Sequence, residues 1–327
     1  MTYRIIKYFS LFLVFLLNFS CQPSGRKDDI VITATLKGPG GMAMIKMIDE
    51  TPVFDSIKTI FLIKNEPNQV RDLMFREAVD FAVLPTTMAA MLYNKDLPYI
   101  LTAIPVWGTL HLFGSDSAIT GWSDLKGKKV SLMGKGMTPD IMFRFLAKKN
   151  GLDPDSDLVA DYSFPTHIEL ANAIASGVSD LAVISEPLVS MVISKNPKVR
   201  SIFDFNTEWI NIFGDSIPFA QTALLVHKDL QEKNPLLVDQ YLHELEMSIE
   251  FVNSNIENAS ILIEEYGILP DRQIAEQSIP RCHIHFTPAW EEKDGIEEYL
   301  KVFFNFNPLS IGGKLPDASF YFKIPAD

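Results

Sequence analysis

The chain has 327 residues, of which 47% are hydrophobic and 21% charged, and its formal net charge is −12. That length and composition fit a globular α/β protein with two core-bearing units. No stretch clusters Lys and Arg densely enough to follow a phosphate backbone, which argues against a nucleic acid partner. Cys21 and Cys282 are the two cysteines.

Arg4 and Lys7 precede an apolar run, Tyr8 to Phe19, that is too short for a comfortable membrane span and ends at Ser20-Cys21. A basic start, a short apolar segment and a small residue before the break predict a signal peptide over residues 1–20. A cysteine at the break predicts lipid attachment at Cys21, with residues 21–28 as a polar tether. The segment is similar to a bacterial lipobox, with Asn18 where an apolar residue is usual. A plain signal peptide cut elsewhere, or an anchor helix, is the alternative. Cleavage leaves Cys282 as the one cysteine with no lipid, so no internal disulfide is expected and the fold must rest on its core.

From Asp29 onward, strand-like and helix-like segments alternate. Ile30 to Leu36 is β-rich and runs into the glycine loop Gly38-Pro39-Gly40-Gly41; helical spacing follows from Met42 to Glu50. Ser56 to Ile63 predicts a strand, Pro67 to Ala78 a helix, Phe81 to Leu84 a buried strand and Thr86 to Tyr93 a helix. Such alternation predicts mostly parallel sheets with helices on both faces. Tyr99 to Leu110 suits a strand crossing between two lobes, and Ala220 to Val226 suits a return crossing. Helical segments follow at Pro235–Asn253, Ala259–Tyr266 and Asp271–Ile279, and the tail carries turn signals at Gly312-Gly313 and Leu315-Pro316-Asp317.

The pattern of the first half recurs about a hundred residues on. Leu36-Lys37-Gly38-Pro39-Gly40 matches Leu132-Met133-Gly134-Lys135-Gly136, and Asp80-Phe81-Ala82-Val83-Leu84-Pro85 matches Asp180-Leu181-Ala182-Val183-Ile184-Ser185. Two lobes of one architecture follow: residues 29–110 with 220–327, and residues 111–219. In open α/β sheets, ligands bind beyond the carboxyl ends of the strands, where helix N-termini offer free N–H groups. The expected cleft residues are therefore Lys37, Gly38, Gly40, Gly41, Thr86 and Thr87 on one wall. Gly134, Lys135, Gly136, Met137, Thr138, Ser185 and Glu186 make the other. Thr138 is expected to cap a helix starting near Pro139. Trp107 at the crossing is a candidate to stack on a ligand and donate its indole N–H, against the alternative of a core tryptophan. Phe164, with Tyr162, is a weaker candidate of the same kind. Glu186 at the cleft would accept from an amine or amide, which tilts the expectation toward a nitrogen-bearing ligand; capping of the next helix is the alternative.

Three other patterns carry less. Gly38-x-Gly40-x-x-Ala43 superficially fits a dinucleotide fingerprint, but Pro39 stiffens the loop and no acidic residue closes the next strand until Glu66. Arg281-Cys282-His283-Ile284-His285 is the one Cys/His cluster, and His-x-His on a strand would put both rings on one face; zinc needs three or four ligands, and no metal is expected. No Gly-x-Ser-x-Gly elbow or His-Glu-x-x-His motif occurs.

Trp122-Ser123-Asp124-Leu125-Lys126-Gly127-Lys128-Lys129-Val130, Gly134 to Asp140, Ser185-Glu186-Pro187 and the C-terminal Ser310 to Asp317 resemble the substrate-binding proteins of the nitrate/sulfonate/thiamine-precursor class of ABC importers. The resemblance spans roughly Ile30 to the end. It implies a two-lobed type II periplasmic-binding-protein fold, a small-molecule ligand in the cleft, ABC permease and ATPase subunits as partners, and no cofactor. With Cys21 it implies an exported, membrane-anchored lipoprotein, expected to be a monomer. An enzyme on the same fold and a sensor or surface lipoprotein are the alternatives. Hinge closure around Trp107–Leu112 and Phe219–Thr222 is the expected capture motion.

Overall fold

A computed structural model describes residues 29–214 and 217–323. The signal segment and Cys21 lie outside the described residues. Two mixed sheets form, each flanked by helices. The first half runs β1 (Ile30–Leu36), α1 (Pro39–Ala43), α2 (Ile45–Glu50), β2 (Val53–Phe54), β3 (Ile57–Lys64), α3 (Pro67–Phe75), β4 (Phe81–Pro85), α4 (Thr86–Tyr93) and β5 (Tyr99–Val106). The chain then builds β6 (Leu110–Gly114), β7 (Lys129–Ser131), α5 (Thr138–Lys149), β8 (Val159–Asp161), α6 (His167–Ser176), β9 (Leu181–Ser185), α7 (Leu188–Lys195), β10 (Arg200–Asp204) and α8 (Phe205–Phe213). It returns through β11 (Thr222–His227) and ends with α9 (Lys228–Lys233), α10 (Pro235–Ser254), α11 (Ile256–Glu265), α12 (Arg272–Ser278), β12 (Ile284–Pro288) and α13 (Lys293–Phe306).

The seven-stranded sheet has the order β12-β5-β11-β4-β1-β3-β2, and the five-stranded sheet β10-β6-β9-β7-β8. Among the named strands, parallel pairing is confined to β3-β1-β4 in one and β8-β7-β9 in the other. The sheets are therefore mixed where mostly parallel ones were expected. The reason lies in the crossings. β6 starts beside the end of β9, with Leu110 opposite Ser185, and β11 starts beside the end of β4, with Thr222 opposite Pro85. A strand that enters at the carboxyl ends of its neighbours must run antiparallel to them. The matched sequence segments occupy matched places: β1 neighbours β4 as β7 neighbours β9.

β1 is a central strand, so its β-branched residues pack on both faces. Thr33 Oγ1 lies 2.8 Å from the Tyr241 hydroxyl, and the Tyr241 ring stacks on Phe81 at 3.7 Å, which docks α10 on the sheet. The glycine loop is a packing device. A Cβ on Gly41 would lie 2.5 Å from the Leu36 carbonyl oxygen, and one on Gly40 would lie 2.8 Å from Val83 Cγ1. Only glycine lets α1 fold back so closely on β1.

Trp107-Gly108-Thr109 links β5 to β6, and this crossing interlocks with the return. A Cβ on Gly108 would sit 2.2 Å from Phe219 Cδ1. The Gln221 amide accepts from Thr109 N–H at 2.7 Å and donates to Thr109 Oγ1 at 2.7 Å. Phe219 in turn packs on Trp209 at 5.6 Å and on Tyr299 of α13 at 5.6 Å, so one apolar core runs from the second sheet's helices through the return crossing to α13. α13 had no counterpart in the sequence expectation, and β12 one only in the strand suggested for His283-Ile284-His285.

Candidate functional site

A cavity of about 540 Å³ lies where the carboxyl ends of β4 and β9 face each other, within the range typical of small-molecule sites. On the first sheet's side, Glu66, Pro67 and Asn68 line it from the start of α3, and Thr87, Met88 and Met91 from α4. Opposite them stand Met133, Gly134, Gly136, Met137 and Thr138, leading into α5. Pro165 and His167 add the start of α6, and Ser185 the end of β9. The crossings supply Leu110, Gln221 and Thr222, and the C-terminal arm supplies Phe303 and Ser310.

Two helix starts meet across this space: Thr87 Oγ1 and Thr138 Oγ1 lie 3.2 Å apart, one from each sheet's flank. Thr86 is fully buried and its Oγ1 has no hydrogen-bond partner, while its N–H donates to the Gln221 carbonyl at 3.1 Å. Burial lowers the pKa of the His167 imidazole, so the ring is neutral at pH 7 and its buried Nδ1 is without a partner. Asp140 is buried beneath the start of α5, where it accepts from Gly136 N–H at 2.7 Å and from the Tyr162 hydroxyl at 2.7 Å. Burial and that carboxylate push the Tyr162 phenol up, so it remains a donor.

Of the residues expected at the cleft, Thr87, Gly134, Gly136, Met137, Thr138 and Ser185 line the cavity together. The others are placed differently. Glu186 is corrected from ligand acceptor to buried structural carboxylate: Oε2 accepts from Ser190 N–H at 3.1 Å and Ser190 Oγ at 2.8 Å, and Oε1 pairs with Arg281 Nε at 2.5 Å. The side chain thus serves the start of α7 and fixes it to the turn before β12. Trp107, expected to stack and donate there, packs on the core instead of lining the cavity, and its indole N–H is spent on the His285 carbonyl at 3.0 Å. Gly38 at the cap of α1 and Gly40 and Gly41 within it are buried where α1 backs onto β1; a Cβ on Gly38 would meet Pro187 at 3.8 Å. Lys37 is exposed and, like Thr86, does not line the cavity. Lys135 is also exposed, with Nζ 5.8 Å from the Tyr162 ring centre. Phe164 packs on the core between α6 and α7 instead of the cavity. Thr138 is the first helical residue, and Met137 holds the cap position. His283 has a φ of 46° and precedes β12, so His283 and His285 do not alternate on one strand. Among the described residues no group of His, Cys, Asp and Glu is arranged to hold a metal.

Several cavity residues had gone unmarked. Glu66–Asn68 and Pro165–His167 follow strands β3 and β8, so the rule that found α4 and α5 reaches them too. Met88 and Met91 lie a helical turn apart on α4, which is visible in the sequence. Phe303 and Ser310 come from the far end of the chain, with no local pattern that marks them.

Residues 57–266 match a family model described as "ABC transporter, phosphonate, periplasmic substrate-binding protein". The chain belongs to this family. Among solved structures, this family member is similar to an ABC transporter protein from Parabacteroides distasonis, with 29% identity, a TM-score of 0.79, and coverage of 90% of this chain and 99% of that one. The aliphatic sulphonate binding protein SsuA from Escherichia coli shares its fold at 16% identity and TM-score 0.70, covering 86% and 94% of the two chains. The nitrate-binding protein NrtA from Synechocystis PCC 6803 does so at 12% identity and TM-score 0.60, covering 85% and 82%. Comparison with curated protein sequences returns no match. The resemblance read from the sequence is confirmed at this level: the chain is an ABC-importer substrate-binding protein with the periplasmic-binding-protein fold. No helix among the described residues is long and apolar enough to cross a membrane.

Proposed function

We propose that this substrate-binding protein captures one small polar or heterocyclic molecule in the 540 Å³ cavity and presents it to an ABC permease and ATPase. One lobe comprises residues 29–110 and 220–327, the other residues 111–219, and the ligand bridges them. The observation that carries this reading is the meeting of α4 and α5 across the cavity, with Thr87 and Thr138 in contact. A ligand seated there touches both sheets' flanks, and its affinity for the closed form sets how far the two close. Two ligand classes fit a cavity of this size: an oxyanion of the kind named for the relatives, and an uncharged organic molecule. The protein is anchored outside the cytoplasm by lipid on Cys21, supported by the apolar run that ends at Ser20.

Mass spectrometry of solutes released from the purified protein, followed by a thermal-shift screen, tests the binding role. Ser185→Phe, which fills the cavity, is expected to abolish retention and thermal shift alike. Undiminished binding in that variant would place the ligand elsewhere. Incorporation of a labelled fatty acid by the full chain, lost in Cys21→Ala, tests the anchor.

A further inference from the structure

We infer that four methionines, two on each wall of the cavity, form an apolar subsite, and that the ligand carries an apolar body which this subsite recognises, whatever the charge of its polar end. This rests on the reading of the cavity as the solute site. Met88 and Met91 reach the space from α4, and Met133 and Met137 from the loop before α5. They differ from the core methionines. Met42, Met44, Met47, Met74 and Met142 are each at most 2% exposed, whereas Met88, Met91 and Met133 are half-buried and Met137 is 53% exposed. Apolar side chains left in contact with water inside a concavity are stabilised when an apolar surface covers them.

Both walls are built for this. Met88 and Met91 lie a helical turn apart, on one side of α4, and the buried Leu110 and Phe303 continue the apolar lining. Opposite them, Gly134 has a φ of 67°, and a Cβ there would lie 2.6 Å from Met137 Sδ. Glycine at that turn gives the Met137 thioether its place over the loop.

Several polar side chains of the lining are already engaged with the protein. Thr87 and Thr138 hold each other, Gln221 is bonded twice to Thr109, and Ser310 Oγ donates to the Asn307 carbonyl at 2.7 Å. Ser185 and His167 remain for a polar end. An inorganic anion would leave the methionines wet and most of the 540 Å³ unfilled. An apolar body covers them. Thioethers are flexible and polarizable, so the subsite fits straight chains and flat rings alike and selects by apolar bulk more than by outline.

Calorimetric titration of the mature chain with homologous series tests this. The probes are the methyl, butyl and hexyl members of the alkanesulfonates, the alkylamines and the N-alkylacetamides; inorganic phosphate and nitrate are the probes without an apolar body. In whichever series binds, we expect affinity to rise about fourfold for each methylene added between the methyl and butyl members. The inorganic ions should give no heat of binding at millimolar concentration. Met88→Gln combined with Met133→Gln, one change on each wall, should lower the increment to about twofold per methylene. The hexyl member then weakens more than the methyl one, a split that loss of folding would not produce. Should the double variant not fold, Met137→Gln, at an exposed position, carries the same comparison. Affinity that does not rise with chain length, or an increment unchanged in the variant, overturns the inference and leaves the solute-binding reading intact. Tight binding of phosphate or nitrate does the same. If no probe binds, the solute released from the protein as purified decides: an alkyl or aryl group in it supports the inference, and a solute with neither overturns it. Absence of any solute in both experiments refutes the cavity reading itself, and the inference falls with it.

Discussion

The correction at Glu186 leads to a quantitative test. Its side chain is wholly buried, whereas that of Arg281 is 40% exposed. Arg281→Met therefore leaves a buried carboxylate with Ser190 as its remaining hydrogen-bonding partner among the described residues, while Glu186→Gln leaves an arginine that water can reach. Breaking a fully buried ion pair costs about 3–5 kcal/mol. The exposure of Arg281 screens part of that, so we expect a loss of about 2 kcal/mol for Arg281→Met. In a chain of this size that is a fall of roughly 3 °C in melting temperature. Glu186→Gln should cost less than half as much, because the amide still accepts from Ser190. The double variant should recover much of the Arg281→Met loss. The pH dependence has a definite sign. Burial raises the Glu186 pKa and Arg281 lowers it, with a net rise. A carboxyl raised above its unfolded value favours the fold below the unfolded pKa, about 4.3, and that contribution is lost as pH rises through the folded value. Without Arg281 the folded value climbs further, so the deficit relative to wild type is larger at pH 8 than at pH 5. Thermal melts of the four proteins at both pH values decide the matter. Equal, pH-independent losses in the two single variants would refute the description of Glu186 as a buried charge held by Arg281. Ligand affinity in Glu186→Gln should match wild type.

Gly312 sits at φ 84°, and a Cβ there would lie 2.8 Å from Asn94 Cβ and 3.1 Å from the Met91 carbonyl oxygen. Gly312→Ala should thus lower the melting temperature more than Gly313→Ala, where φ is 90° but nothing lies within 4 Å of an added Cβ, the difference being on the order of 1–2 kcal/mol. Buried His111 holds Ser201 Oγ at 3.0 Å, and burial pushes its pKa down to about 4. A depressed histidine contributes stability above the unfolded pKa of about 6.5 that is lost as pH falls toward the folded value, here on the order of 3 kcal/mol in all. His111→Gln should flatten that acid limb in equilibrium unfolding; an unchanged limb would mean that the ring is not buried neutral.

The sequence reached the loops of the site but not their faces. Strand ends followed by helix starts placed Pro85–Thr87, Gly134–Thr138 and Ser185-Glu186 near the cavity, and each of these loops contributes, whereas the Lys37–Gly41 loop placed by the same rule does not. Within each loop, neighbouring residues face different ways. Ser185 lines the cavity while Glu186 turns to Arg281, and Thr87 lines it while Thr86 is buried behind. Side-chain direction alternates with the backbone, and a single sequence does not say which of two neighbours faces the gap. Arg281 decides the fate of Glu186 from 95 residues away. In α13, Ile296, Tyr299, Leu300 and Phe303 form a stripe at helical spacing that is legible as a buried face. Its docking site is not legible, because it depends on Phe219, Trp209 and the close approach of Gly295 to Pro218, where a Cβ would lie 2.3 Å from Pro218 Cδ.

That docking bears on how far the proposed lobes can part. The continuous core joining Trp209, Phe219 and Tyr299 passes through the return crossing, and Gly108 of the outward crossing lies against the same Phe219 ring. The Gln221–Thr109 pair of hydrogen bonds ties the two crossings side by side. Contacts at a hinge axis survive a rotation that separates contacts far from it. The aromatic cluster and the Gln221 amide lie on or beside the crossings, whereas the Thr87–Thr138 contact spans the cavity between two helix starts. Opening that breaks this neutral hydrogen bond and leaves the Glu186–Arg281 pair intact costs about 1 kcal/mol, while prising Tyr299 from Trp209 and Phe219 would expose aromatic area worth several times that. The permitted motion in the proposed capture cycle is therefore a small rotation that parts α4 from α5 and leaves α13 seated. A ligand needs only a modest preference for the closed arrangement to hold it, since populations shift tenfold for each 1.4 kcal/mol of differential binding.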